Sequence, residues 1–289
     1  MSAAFIAVDW GTTNRRAYRI EHGTVVATAQ DAMGILSVPV DGFPAEVAAL
    51  RARFGELPVL MAGMVGSDRG WREAGYVACP ATIETIAAGL VQPEPDVFIV
   101  PGVCVDALER ADVMRGEEVQ LLGAVAAGLA PGDALLCQPG THNKWATVRH
   151  GAIVDFTTAM TGEMFALLKA HAMIGREMSG EVDADAAFRA GVLASGDADL
   201  LAALFGVRAA AVLGKRAPGN AAAYVSGLLI GSDCRARLRQ PGQTVYLLAD
   251  GLLARLYTAA ITMVEGVAVC VDSHASFVAG ITRIRTLMS

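Results

Sequence analysis

Apolar residues first gather without a break in Phe5-Ile-Ala-Val8, then give way to Asp9 and a short polar run, Thr12-Thr-Asn14. Four adjacent apolar positions predict a strand buried on both faces. Arg16 to Glu21 and Thr24 to Gln30 predict a second and a third strand, with His22-Gly23 as the tight turn between them. Gly11 lets backbone N–H groups close on an anion, and Thr12, Thr13 and Asn14 add short donors, so the loop after Asp9 reads as an anion nest. It lies between strands, whereas a P-loop or a dinucleotide fingerprint leads into a helix N-terminus. The alternative is an ordinary hairpin turn.

Val47, Leu50 and Phe54 recur at helical spacing and predict a helix over 43–54, followed by a short strand over 57–61. Met33-Gly34-Ile35 reads either as a loop reaching into a cleft or as a plain connection. Residues 63–80 contain four glycines yet carry Ser67, Arg69, Trp71, Arg72 and Tyr76, a mixture of donors, cations and flat faces suited to gripping a small polyhydroxy acid. The other reading is that Trp71 and Tyr76 cover the edge of a core. A strand over 97–100 precedes a small-residue helix from Glu117 to Leu129. Glu117 and Glu118 at its start suit the positive end of the helix dipole. Because neighbouring helical residues point about 100° apart, one of the two can also face a ligand as a general base.

Pro131-Gly-Asp133 punctuates the chain and predicts a boundary between domains spanning 1–130 and 131–289. The second half then repeats the opening. Ala134 to Cys137 predicts a strand, Gln138 to Lys144 a glycine loop, Trp145 to Arg149 a strand, His150-Gly151 a turn, and Ala152 to Phe156 a third strand, roughly 130 residues after the first set. Two related α/β domains facing a shared cleft follow. Thr141, His142 and Lys144 would then stand where the first loop has its hydroxyls. Farther on, the pattern predicts a helix capped by Thr161 with Phe165 and Leu168 in a core, and helices over 184–193, 198–205 and 221–234. Gly227 and Gly231 in the last of these permit close helix packing. Thr244 to Tyr257 predicts strand, Asp250-Gly251 turn and helix, before a strand over 267–271 and a helix over 275–287.

Composition narrows the function. A net charge of −6 and a pI near 5.4 exclude a nucleic-acid partner, because no basic run is present to displace counterions from a phosphate backbone. Hydrophobic residues make up 54% and mean hydropathy is +0.44, but no apolar run approaches the ~18 residues of a membrane span. Residues 1–4 show no basic region and no separate apolar segment, so a cytoplasmic protein is expected. The five cysteines form no C-x-x-C pair and read as reduced, packed thiols. Self-association is compatible with the sequence.

The strand, Asp9-Trp-Gly-Thr-Thr loop and following strands resemble the first phosphate motif of the acetate kinase, sugar kinase, Hsp70 and actin superfamily. That resemblance implies two ribonuclease-H-like domains, an actin-like ATPase fold, with ATP in the interdomain cleft. Within it the chain resembles the 2-dehydro-3-deoxygalactonokinase family through Asp9 to Tyr18, Gly63-Met-Val-Gly-Ser67 with Gly70-Trp71, Cys79-Pro-Ala81, Met114-Arg-Gly-Glu-Glu118, Pro139-Gly-Thr-His-Asn-Lys-Trp145, Met160 to Leu168 and Tyr224 to Gly231. The second loop departs from the superfamily pattern of an Asp with several glycines, and Asp250-Gly251 stands for the usual glycine pair. The family implies transfer of the ATP γ-phosphoryl group to the 6-hydroxyl of 2-dehydro-3-deoxy-D-galactonate. On that resemblance Asp9 holds Mg²⁺, and Gly11, Thr12 and Thr13 meet the phosphates. Gly140, Thr141, His142 and Lys144 clamp the γ-phosphate, and Gly251 serves the adenosine. Asn14, Arg16, Ser67 and Trp71 contact the sugar acid, Arg16 through its carboxylate, and Glu118 or Glu117 takes the hydroxyl proton. A related 2-dehydro-3-deoxy acid is an alternative substrate. Gly-Glu-Glu before a helix also resembles the exopolyphosphatases, which would release phosphate without a sugar. A non-catalytic sugar sensor is a further alternative.

Overall fold

A computed structural model describes residues 4–196, 199–215 and 219–288. In chain order the strands and helices begin β1 (Phe5–Trp10), β2 (Arg15–Glu21), β3 (Thr24–Asp31), α1 (Phe43–Phe54), β4 (Val59–Gly63) and β5 (Tyr76–Ala78). There follow α2 (Ile83–Ala88), β6 (Val91–Glu94), β7 (Val97–Ile99), β8 (Gly102–Ala107), β9 (Arg110–Met114) and α3 (Glu117–Ala126). The second set comprises β10 (Ala134–Gln138), β11 (Asn143–Arg149), β12 (Ala152–Ala159), α4 (Thr161–His171), α5 (Ala186–Ala194), α6 (Leu200–Val212) and α7 (Ala221–Arg237). It closes with β13 (Thr244–Leu248), α8 (Gly251–Met263), β14 (Val267–Val271) and α9 (Ser273–Leu287). The helix expected over 198–205 is found as α6; Ala198 lies outside the described residues.

One sheet runs β3-β2-β1-β4-β7-β6 and another β12-β11-β10-β13-β14. In the first, β1 pairs antiparallel with β2 and parallel with β4, and β2 pairs antiparallel with β3. In the second, β10 pairs in parallel with β13, and β13 with β14. The strand order is therefore the same twice, three consecutive strands side by side and then a parallel neighbour on the far side of the first. This is the ribonuclease-H-like plan, and the fold is α/β. The predicted turns match it closely: His22 and His150 both have φ 51, and Gly23 and Gly151 both have φ 78. Two left-handed central residues give the mirror-image turn that suits the twist of a hairpin.

Two compact units divide the chain, one formed by Met1–Asp133, Ala146–Phe156 and Asp272–Ser289, the other by Ala134–Trp145 and Thr157–Val271. The first unit thus takes in two segments beyond residue 131. In it Phe43, Val47, Leu50 and Phe54 of α1 bury one stripe against Ile6, Val8 and Trp10 of β1. Helix α9, capped by the Asp272 carboxylate accepting from the His274 and Ala275 N–H groups, packs along α3. The approach is close enough that a Cβ on Gly123 would strike the Ser276 carbonyl, and one on Gly280 the Val119 carbonyl.

In the second unit α5 and α7 touch in the same way, with Gly191 under the Tyr224 carbonyl and Gly227 under that of Phe188, as the small-residue spacing predicts. Phe188, Val192, Ile230, Leu247 and Tyr257 form its central core. Phe165 and Leu168 are only partly buried, at the edge of a second cluster, so they are less enclosed than expected. Among the described residues, no helix is long and apolar enough to cross a membrane.

Candidate active site

Asp9 is the fifth residue of β1, and its cross-strand partner on β2 is Arg16. Asp9, Gly11, Thr12, Thr13, Asn14, Arg15, Arg16 and Gln30 line a cavity of about 280 Å³. The loop's shape is imposed from below. The carbonyls of Gly11, Thr12 and Thr13 accept from the N–H groups of Ile35, Leu36 and Gly34 at 3.0, 3.2 and 3.2 Å. A Cβ on Gly34 would collide with the Thr12 and Thr13 backbone, so only glycine lets the two segments meet. Met33-Gly34-Ile35 is therefore a strap that fixes the loop, and it leaves the side chains of Thr12, Thr13 and Asn14 exposed.

The two arginines of β2 diverge because successive residues of a strand face opposite sides. Arg15 is buried, its guanidinium paired with Asp31 at 2.8 Å and Glu46 at 2.7 Å and stacked 4.9 Å over the Trp10 ring. Arg16 faces the cavity, donating to Gln30 Oε1 at 3.4 Å. Asp9 is raised to about 6, chiefly by burial; the Arg16 charge opposes the shift and the Glu117 charge adds to it.

The adjacent glutamates of α3 part company. Gly116, at φ 104, turns the chain into the helix. Glu118 points inward and is fully buried, with Oε2 accepting from the Gly116 N–H at 2.7 Å and Oε1 without a hydrogen-bonding partner among the described residues. Burial, then the neighbouring Glu117 charge, pushes its carboxyl up to about 8. Glu117 is half-buried, accepts from the Arg115 N–H at 3.0 Å, and is the glutamate whose charge reaches Asp9.

Ser67 and Trp71, expected on the substrate, are not among the residues that line this cavity, and both have partners within the first unit. Ser67 is buried, its hydroxyl donating to the Met64 carbonyl at 2.7 Å. Trp71 packs against the first unit's core and stacks on Phe43, with centroids 6.0 Å apart and planes within 5°. Tyr76 carries the Arg115 guanidinium 4.3 Å above its ring.

In the second unit the loop after β10 is held by Asn143, whose Oδ1 accepts from the Gly140 N–H at 2.8 Å. The first turn of α4 meets this loop. The Glu163 N–H donates to the Thr141 carbonyl at 2.9 Å, and Glu163 Oε2 lies 2.6 Å from His142 Nε2. A Cβ on Gly162 would strike the Gly140 carbonyl. Lys144 is buried on β11 and donates to Thr158 Oγ1 at 3.0 Å, so it supports the loop and is not an exposed point charge. Thr161 is not the cap of α4; Met160 occupies that position, and the Thr161 hydroxyl donates to Asp233 Oδ2 at 3.2 Å. Gly251, at φ 56, opens α8, and a Cβ there would meet nothing within 4 Å. Beside the loop, an apolar cavity of about 230 Å³ is lined by residues including Gly140, Thr161, Phe165, Leu229, Leu252 and Leu256.

Sequence reasoning missed Asp233 and Tyr257, which gather the loop's supports. A carboxylate inside the otherwise apolar, glycine-punctuated stretch Ala221 to Cys234 was the available signal.

Fold and site together define the class: an α/β phosphotransferase of the sugar kinase type, with an acid at the end of one central strand and a loop of hydroxyls beyond it. The chain belongs to the 2-keto-3-deoxy-galactonokinase family, whose model matches residues 9–284. It is 39% identical over 236 residues to the 2-dehydro-3-deoxygalactonokinase of Escherichia coli (strain K12), covering 81% of this chain and 80% of that one. It is 37% identical over 273 residues to a candidate 2-dehydro-3-deoxygalactonokinase of Rhizobium meliloti (strain 1021), covering 89% and 88%. The crystal structure of a candidate 2-dehydro-3-deoxygalactonokinase from Sinorhizobium meliloti superposes with a TM-score of 0.90 at 34% identity, over 97% of each chain.

Proposed function

We propose that the protein transfers the terminal phosphoryl group of ATP to the 6-hydroxyl of 2-dehydro-3-deoxy-D-galactonate. The observation that carries this reading is the pairing of Asp9, half-buried and shifted to about 6, with the exposed hydroxyls of Thr12 and Thr13 around one cavity. Family membership supports it.

Mg²⁺ fits Asp9. Among the described residues no cluster of three or more His, Cys, Asp or Glu could hold a metal ion unaided. Mg²⁺ needs none, since it is commonly held by one or two carboxylates together with substrate phosphates. The mutual repulsion of Asp9 and Glu117 is also what a cation relieves. When bound, the ion supplies charge neutralisation to the phosphates. The chain's own part is positioning, the main resource of phosphoryl transfer. Thr12, Thr13 and the loop N–H groups orient phosphate oxygens. Thr141 and His142 bind the ATP phosphates from the second loop, and Gly140 lets that loop come close. The apolar cavity beside α8 takes the adenine, with Gly251 leaving room for the ribose.

Arg16 binds the acid's carboxylate in a fork, and Asn14 hydrogen-bonds a hydroxyl. Glu117 accepts the proton from the 6-hydroxyl as the oxygen attacks phosphorus. Glu118 already carries its proton near neutrality and holds Gly116, hence the direction of its neighbour.

The test is ADP release from Mg-ATP with a panel of 2-dehydro-3-deoxy sugar acids. Release dependent on the galactonate derivative is expected, and Glu117→Gln should slow turnover roughly 10²- to 10⁴-fold. Phosphate released equally with and without any acid would refute the kinase reading. Full turnover in Glu117→Gln would refute the base.

A further inference from the structure

Asp233 is an unusual residue for its place. It sits on α7, where twelve residues are buried, and its side chain is 4% exposed. Removing a carboxylate from water is costly, and an apolar residue of similar size would suit the helix's packing better. The chain keeps the carboxyl group and converges donors on it. Oδ2 accepts from Asn143 Nδ2 at 2.9 Å, Trp145 Nε1 at 3.0 Å, Thr161 Oγ1 at 3.2 Å and the Tyr257 hydroxyl at 3.4 Å. Asn143 also donates to the Tyr257 hydroxyl. Oδ1 has no hydrogen-bonding partner among the described residues, and Arg237 Nε stands 3.9 Å away. The bonding is one-sided, and its direction is informative. Asn143, Thr161 and Tyr257 all line the apolar cavity. Asn143 spends its other side-chain atom on the Gly140 N–H.

We propose that Asp233 is the positioning residue of the second phosphate loop: through Asn143 it sets the Gly140 peptide, and through Thr161 it sets the first turn of α4 against Thr141 and His142. One carboxylate oxygen thereby fixes loop, strand and helix in a single register. The inference rests on the reading that this loop binds ATP, and it adds a specific consequence. Asp233 touches neither substrate, yet its loss weakens the grip on nucleotide and spares the sugar acid.

The experiment is steady-state kinetics with both substrates, plus calorimetric titration with ADP, on the purified full chain. Asp233→Asn keeps one accepting oxygen and should raise the KM for ATP a few-fold; Asp233→Ala should raise it roughly tenfold or more and weaken ADP binding in parallel. The KM for the sugar acid should stay within about twofold in both. Because part of the effect runs through Asn143, combining Asp233→Ala with Asn143→Ala should raise the KM for ATP by clearly less than the product of the two single effects. If Asp233→Ala does not fold, Asp233→Asn and Thr161→Val carry the test, each with ATP affinity lowered and acid affinity kept. Equal changes in both KM values, no change in either, or multiplying effects in the double variant overturn the proposal. If Thr141→Ala and Asn143→Ala leave both the KM for ATP and ADP binding intact, the ATP-loop reading itself falls and takes the proposal with it. Unchanged ADP binding in the Asp233 variants alone, with Asn143→Ala weakened, overturns the proposal and leaves the ATP-loop reading standing.

Discussion

Glu118→Gln separates a buried proton from a catalytic one. Glu118 has no exposure, and its carboxyl is raised from 4.5 to about 8. The sign follows from linkage. Below pH 4.5 both folded and unfolded forms hold the proton, and the group contributes nothing. Between 4.5 and about 8 the unfolded chain releases it while the folded chain retains it, so stability falls as pH rises, by about 1.4 kcal/mol per pH unit. Above about 8 both forms are ionised and the loss levels off. The full shift corresponds to a cost of at most about 5 kcal/mol. Gln cannot ionise and can still accept from the Gly116 N–H, so it removes that slope. Urea unfolding of both proteins at pH 5.5, 6.5 and 7.5 should show the variant gaining on the parent by about 3 kcal/mol across that range. A gap constant with pH would refute the burial argument, and with it the assignment of the base to Glu117.

Asp9 should govern the acid limb of activity: kcat/KM should climb as pH rises through about 6 and the carboxylate ionises, and Asp9→Asn should abolish both the limb and most of the turnover, read from pH–rate profiles. The arginines of β2 should separate by assay. Arg15→Ala strips Asp31 and Glu46 of their partner and should cost about 2–3 kcal/mol in denaturation, discounted because both acids are partly exposed, whereas Arg16→Ala should chiefly raise the KM for the sugar acid. Gly227→Ala should lower stability by about 1–3 kcal/mol in thermal or urea unfolding, since the added methyl meets the Phe188 carbonyl.

Local chemistry that also decided the tertiary arrangement was readable from the chain. The His-Gly turns, the helix Phe43–Phe54 and the strand Val267–Val271 each stand where period and turn residues place them. Segments lacking a clear period were missed: β8 and β9 alternate poorly and carry Asp106, Arg110 and Asp112, so their pairing shows only once they meet. At the candidate site, the first loop's shape was legible because Asp9, Gly11, Thr12, Thr13 and Asn14 are neighbours in the chain and line one cavity. Thr161 was misread as a cap because a distant partner, Asp233, claims its hydroxyl, and the contacts of Ser67 with the Met64 carbonyl and of Trp71 with the face of Phe43 are likewise not set by spacing. The division of Glu117 from Glu118 depends on which way α3 is rotated, and sequence spacing alone does not set that.

Helix α9 follows the other described elements in the chain, yet it packs on the helix that bears the two glutamates. A ribosome delivers Asp9 and its loop long before it delivers residues 273–287, so the unit begun first is packed in full only when a late-made helix arrives. A polypeptide interrupted before residue 272 would own both loops and still lack the brace behind α3.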